Sequence, residues 1–563
     1  MKKLFIFLWV LGTAVLQTEA QQFQWAMQFD GETNSAAKII KAGQNSNMFI
    51  AGDFKGTIDF DGGEGTAILT SLGENDLFIE KTDMEGNLIW VKQFGGVDDG
   101  FVRGMSIDAD DNIYLTGSFK GTIDLDPGEG EVLCTSVGDW DIFVLELDGD
   151  GNYVWSGQMG GPSADYGVNI EFASSGNIYI SGYFAGIADF NPSPDIEFML
   201  TATNQSCFVE KLSSSKELLW AGVLGGPGID YLDDMFIDGN ENIYTTGGFA
   251  GAADFDLGAG SEVLVAVGDR DIFISKLNTD GGYVWAVSMG GPLKEFGQGI
   301  AVDAEDNVYI AGNFQGTVDF NPATGDNFYL TSMGDYDIFI GKLDADAGLL
   351  WMKQIGGNGN QVPYRLTLDA ENNIYTTGYF EETVDFDPGE EEFVLTFAGG
   401  IDFYLNKLDN SGVHSWTVGF GNVGSDRGFS LFSQDDYIYT GGLFAGSVDF
   451  DPSANTYFLD GSGDFNGFVY KLETSYLGVG EHVAMDKIDI YPNPTKSSAN
   501  IYFKEGDFSG RIEVYSILGK RIIEKTISKQ KEVQIELGDK TGLFFVKLTK
   551  SDGAEKVVKL LKE

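Results

Sequence analysis

A tryptophan followed by a short apolar run and a Gly-rich turn recurs seven times, at Trp25, Trp90, Trp155, Trp220, Trp285, Trp351 and Trp416. The successive gaps, by subtraction, are 65, 65, 65, 65, 66 and 65 residues. A period this regular, with several β-type runs in each unit, restricts the chain to a propeller or a solenoid. One unit reads Tyr231 to Asp238, a turn at Gly239-Asn-Glu, then Asn242 to Gly247. Phe249, Gly251, Asp254-Phe-Asp256 and a variable loop follow, then Asp271 to Leu277 and a second turn leading into the Trp285 strand. That is four strands in two hairpins, with Gly, Asp and Asn where positive φ is needed.

The apolar pattern selects the propeller. Ile272-Phe-Ile274 and Ile338-Phe-Ile340 are apolar on consecutive residues, so both faces of these strands are buried. Blades stacked around an axis bury both faces of their middle strands, and four strands in about 65 residues fit one blade. The Phe strand also recurs seven times, but the first Trp strand precedes the first set and the last set has no Trp strand after it. The expectation is an all-β, seven-bladed β-propeller over 21–475 in which the N-terminal strand (22–29) completes blade seven and removes an open edge. The pattern Asp-x-x-x-Asn-[Ile/Val]-Tyr-x-x-Gly, then Asp-[Ile/Leu]-Phe-[Ile/Val], then Gly-x-x-x-Trp resembles the bacterial SBBP β-propeller repeat family. That resemblance implies a scaffold and no single activity.

The ends differ from the repeat. Residues 1–20 read as a signal peptide: Lys2 and Lys3, an apolar stretch from Leu4 to Leu16, and Thr18-Glu-Ala20 as a cleavage site. The apolar run is too short to span a bilayer stably, and no other stretch reaches transmembrane length. Residues 476–486 read as a linker, and 487–563 as a small Ig-like β-sandwich of six or seven short strands. This tail carries Ile490-Tyr491-Pro492-Asn493-Pro494, Val514 to Gly519-Lys520, Gly542 to Lys547 and Lys556-Val-Val-Lys559. It resembles the C-terminal type A sorting domain of the type IX secretion system of Bacteroidota. The resemblance implies export across the outer membrane by that machinery, removal of the domain by its C-terminal-domain peptidase, and release or attachment at the cell surface.

The formal charge of −51 lies almost wholly on the repeat region and argues against nucleic acid and anionic membranes as partners. Cys134 and Cys207 fall at different points of the repeat and are read as unpaired. The clearest polar constellation is a repeated Asp-x-[Asp/Asn]: Asp59/Asp61, Asp124/Asp126, Asp189/Asn191, Asp254/Asp256, Asp319/Asn321, Asp385/Asp387 and Asp449/Asp451. Such carboxylates are candidate calcium ligands, although the remaining ligands of a calcium loop are missing; the competing reading is that each Asp fixes a turn. Tyr183, Tyr379 and Trp140 either line a sugar-binding face or pack between blades. His414 and His482 have no catalytic partner in sequence. The favoured function is therefore a secreted or surface-attached monomeric binding scaffold for a glycan or protein, not an enzyme. The alternative is a polysaccharide-active glycosidase or lyase using acids on one propeller face.

Overall fold

The computed structural model describes residues 22–63, 65–322, 326–453 and 455–474, and in the C-terminal part 488–491, 495, 498–503, 508–516, 521–537, 542–550 and 555–562. One compact unit spans Gln21–Thr474, and the C-terminal residues from Ser475 belong to a second. The proposed signal peptide and linker lie outside the described residues.

Seven antiparallel units of four strands make up the first body, five as separate sheets and two extended to six strands by an outer hairpin. Their inner strands are Ser35–Ala42, Gly100–Ile107, Tyr166–Phe172, Tyr231–Ile237, Glu295–Val302, Gln361–Leu368 and Arg427–Gln434. The two middle strands of each unit are the buried ones: in the second, Ile113–Phe119 and Asp141–Leu147 are buried at every residue. Burial on both faces follows from sheet-on-sheet packing, and the apolar clusters run between neighbouring sheets. Tyr375, Phe403 and Leu405 of the sixth share a cluster with Ile438, Phe444 and Phe468 of the seventh.

The ring closes as the pattern requires. Gln22–Gln28 pairs antiparallel with Asn466–Glu473 and completes the seventh sheet. Ile40, Met48 and Phe78 of the first sheet then pack with Phe432, Tyr439 and Val469 of the seventh.

The periodic tryptophan sits on the outer strand and reaches the next blade. The Trp90 ring covers the turn at Gly151, so closely that a Cβ there would lie 2.9 Å from it. Trp220 covers Gly281 and Trp351 covers Gly412 in the same way, and Trp25 covers Gly86 across the closure. Gly86 and Gly151 also have φ of 80° and 74°, which a side chain would strain. The Trp285 Nε1 donates to the Ala345 carbonyl of the following blade at 3.1 Å.

Within the loops read as variable, the chain forms a small extra hairpin, such as Thr57–Asp59 with Ile68–Thr70. Three-residue strands are too short to leave a periodic signal in the sequence. The C-terminal body has a three-stranded sheet containing Ser498–Phe503 and a four-stranded sheet containing Phe508–Ser516. Ile501, Phe503 and Val533 of one sheet share a core with Ile512, Val514 and Val546 of the other.

Candidate functional site

The inner strand of every blade carries a β-bulge at the same register. The unpaired extra residues are Lys38, Arg103, Val168, Asp233, Gln298, Tyr364 and Phe429. A bulge re-aims a side chain and recurs at barrel rims beside functional sites. Here it sets seven chemically different side chains, one per blade, around one end of the ring. Immediately beyond lies an axial cavity of about 270 Å³ lined from all seven inner strands, among them Ile39, Arg103, Asn169, Asp234, Ile300, Arg365 and Ser430. Ion pairs between non-adjacent blades cross it: Lys41 with Glu171 at 3.5 Å, and Arg365 with Asp234 at 3.7 Å.

Aromatic rings line this mouth in a run. Phe101 stacks on Trp140 (5.3 Å between centroids), Trp140 on Tyr166 (6.2 Å), and Tyr183 lies 5.1 Å from Tyr166 and 5.2 Å from Tyr231. A second group joins Tyr364 to Tyr379 and Phe429. All are half-buried. Cations sit on these faces: Lys38 over Phe101, Arg103 over Tyr166, Arg270 between Tyr231 and Phe296, and Arg427 over Tyr379. Tyr183, Tyr379 and Trp140, which the sequence offers as either sugar-face or packing residues, stand at the mouth and pack between neighbouring blades.

Three carboxylates belong to the same end. Asp53 is paired with Lys38 at 2.5 Å, and burial still holds its carboxyl above the usual range. Asp234 accepts from the Ile300 amide at 2.9 Å, and it too is raised by burial. Asp233, the bulged residue of the fourth blade, has a covered Oδ2 with no hydrogen-bond partner. Burial pushes its pKa to about 7 against the opposing pull of Arg365, Arg270 and Arg103. These arginines were not legible as a site, because each stands at a different point of its blade.

The Asp-x-[Asp/Asn] residues lie elsewhere, at the small outer hairpins, and the seven pairs are not brought together. In each, the first Asp accepts two backbone amides: Asp59 from Asp61 and Ala67 (3.1 and 2.8 Å), Asp124 from Asp126 and Val132, Asp254 from Asp256 and Glu262. Asp385 and Asp449 do the same. The second member, Asp61, Asp126, Asp256, Asp387 or Asp451, caps the amide two residues on. Calcium wants six to eight oxygens. Among the described residues no group of three or more His, Cys, Asp or Glu side chains could hold a metal. The donor set fits a turn better than a calcium site. His414 is likewise engaged structurally, its Nε2 2.9 Å from the Thr417 hydroxyl and its pKa lowered by burial. Both thiols are free, and burial raises them.

In the tail, Pro492, Asn493, Pro494, Gly519 and Lys520 lie outside the described residues. Tyr491 ends the strand Ile488–Tyr491, and Gly542 opens Gly542–Lys550, paired with Lys562.

The fold and mouth define a ring scaffold with one differentiated end. Two segments match known families. Residues 350–379 match the β-propeller repeat family, and residues 489–563 match the secretion system C-terminal sorting domain. One blade of the ring is thus similar to that repeat family, and the C-terminal part carries a sorting domain of the type IX secretion system, which indicates secretion to the cell surface or beyond. Among curated proteins it is 21% identical over 497 residues to an uncharacterized WD repeat-containing protein, L264, of Acanthamoeba polyphaga mimivirus (75% of this chain, 36% of that protein). It is 23% identical over 175 residues to the regulatory protein FlaEY of Caulobacter vibrioides (30% of this chain, 18% of that one). The chain thus spans only about a third and a fifth of these relatives. Drosophila semaphorin 2a aligns over 97% of this chain and 98% of its own, with a TM-score of 0.37 and 8% identity.

Proposed function

We propose that the protein is an exported, monomeric binding scaffold that holds a glycan or protein ligand at the bulged mouth. The observation that carries this is the contrast within the repeat. Core and turn positions repeat nearly unchanged around the ring, while the seven bulged positions differ in charge, size and polarity. A repeat whose equivalent inner-strand positions diverge beside a cavity suits recognition. The propeller-repeat match supports a non-catalytic role, and the sorting domain supports engagement of the type IX machinery. No helix of the described residues is long and apolar enough to cross a membrane.

A second reading, a polysaccharide-active enzyme, has one observation in its favour. Asp233 titrates near neutrality in a cleft, as a general acid would. A glycan array of the purified chain, with bound glycans checked for chain cleavage, separates the two. Binding without cleavage, lost in a Tyr183→Ala, Arg103→Ala double variant that still melts cooperatively, is the expected result. Cleavage abolished by Asp233→Asn would establish the enzyme, and undiminished binding by the double variant would remove the mouth as the site.

A further inference from the structure

We infer that the mouth is selective for an acidic polysaccharide, a chain of uronate sugars, whose carboxylates are held by arginine while its pyranose rings stack on the aromatic run; this rests on reading the mouth as the binding surface. The first ground is the distribution of arginine. The propeller residues contain four arginines, Arg103, Arg270, Arg365 and Arg427, and all four stand at this one end of the ring. Four lysines follow a different rule, while Lys38 stands at the mouth over Phe101. Lys211, Lys276, Lys342 and Lys407 occupy one repeated position on the third strand, each over the tyrosine of the neighbouring strand. Arginine has been kept for the mouth, where its planar fork matches a carboxylate with two parallel hydrogen bonds and lysine cannot.

The second ground is unused donor capacity. A guanidinium carries five N–H donors. Arg103 donates to the Tyr183 hydroxyl at 3.2 Å and Arg270 to the Ile229 carbonyl at 3.3 Å. The Nε atoms of Arg270 and Arg427 are covered and make no hydrogen bond, which leaves the terminal nitrogens to meet a ligand. Aromatic faces hold these guanidiniums flat and in place, which lowers the entropy cost of engaging a ligand.

Charge is the third. Lys38 and the four arginines are gathered at the mouth against the buried Asp53, Asp233 and Asp234, with Asp99 held by Asn75 and Asp139 paired with Lys120 at 2.5 Å beside them. The whole chain carries −51, so a polyanion is disfavoured over most of the surface and is best met where the arginines are concentrated. The fourth ground selects a sugar over an acidic peptide. Five half-exposed rings, Phe101, Trp140, Tyr166, Tyr183 and Tyr231, are in contact across three blades, and their uncovered parts form a continuous aromatic run with polar edges.

Titration calorimetry of the full chain with oligogalacturonate, dextran sulfate and neutral dextran tests this, because the last two differ only in the acidic group. Oligogalacturonate should bind, dextran sulfate at least fivefold more weakly, and dextran not measurably. Arg103→Gln and Arg270→Gln should each weaken oligogalacturonate binding about tenfold, and Arg103→Lys should recover only part of that. Each variant is first checked for an unchanged melting temperature. Dextran or dextran sulfate binding as tightly as oligogalacturonate would overturn the inference, as would arginine variants of unchanged affinity. If neutral glycans bind and Trp140→Ala abolishes it, the mouth remains the site and only its selectivity for acid is wrong. Glycan binding that no mouth variant alters would remove both.

Discussion

Lys216 is a residue that explains itself only through another blade. Six blades place a lysine or its neighbour's equivalent over an aromatic ring, but the second has Glu146 at that position. Lys216, in the third blade's turn with φ of 67°, fills the gap: it pairs with Glu146 at 2.8 Å and lies over Tyr114 at 5.1 Å. Charge compensation of this kind preserves the repeat where a simple pattern search sees a defect. Glu295 is the opposite case, a buried acid with poor compensation. It accepts one amide, from Gly291 at 3.2 Å, its other oxygen has no partner, and burial raises its pKa to about 8. A carboxyl whose folded pKa lies above its unfolded value binds its proton more tightly when folded. Stability therefore falls as pH rises from about 4.5 toward 8. Glu295→Gln removes that loss, and Gln361 already occupies the matching position in the sixth blade. The variant should equal the parent at pH 5 and exceed it at pH 8.5 by on the order of 2 kcal/mol, since one pKa unit is worth about 1.4 kcal/mol. Denaturant melts at the two pH values decide it; a variant no more stable at pH 8.5 would contradict the burial argument.

At the scale of elements, the N-terminal strand and the small hairpins invite separate tests. Deleting residues 22–29 removes the fourth strand of the seventh sheet and the Trp25 cover over Gly86. The ring should then melt roughly 10 °C lower or aggregate, because a full edge and its apolar contacts are exposed. Trp25→Ala is milder, about 2 kcal/mol, since that ring is half-exposed and not core. A deletion with unchanged thermal unfolding would break the closure model. For the outer hairpins, millimolar calcium and magnesium at equal ionic strength should raise the melting temperature equally, by screening alone. A calcium-specific rise would make Asp59, Asp124 and their repeats ligands after all. These elements also show what a sequence discloses. Trp spacing and consecutive apolar residues reported the blades, because those positions are fixed by packing. The bulges left no trace, because an extra residue is defined by pairing register, and Lys38, Val168 and Asp233 share no chemistry. The hairpin at Thr57–Asp59 was invisible for its brevity.

For the molecule as a whole, export and recognition are carried by different bodies. Fusion of residues 487–563 to a periplasmic reporter should send it across the outer membrane in a type IX-competent bacterium, whereas truncation after Thr474 should leave a folded propeller in the periplasm. A truncated chain that still reaches the surface would detach export from the tail. Recognition depends instead on the ring presenting one differentiated end, with the mouth arginines and aromatics acting together. Hydrogen exchange of the full chain, with and without the tightest ligand from the glycan array, measures this most directly. The account predicts slowed exchange confined to the bulged middle of the inner strands, around Lys38, Arg103, Asn169, Asp234, Arg365 and Ser430, and to the segments at Trp140 and Arg270. Protection centred instead on the outer hairpins at Asp59, Asp124 and Asp254, with the inner strands unchanged, would contradict it.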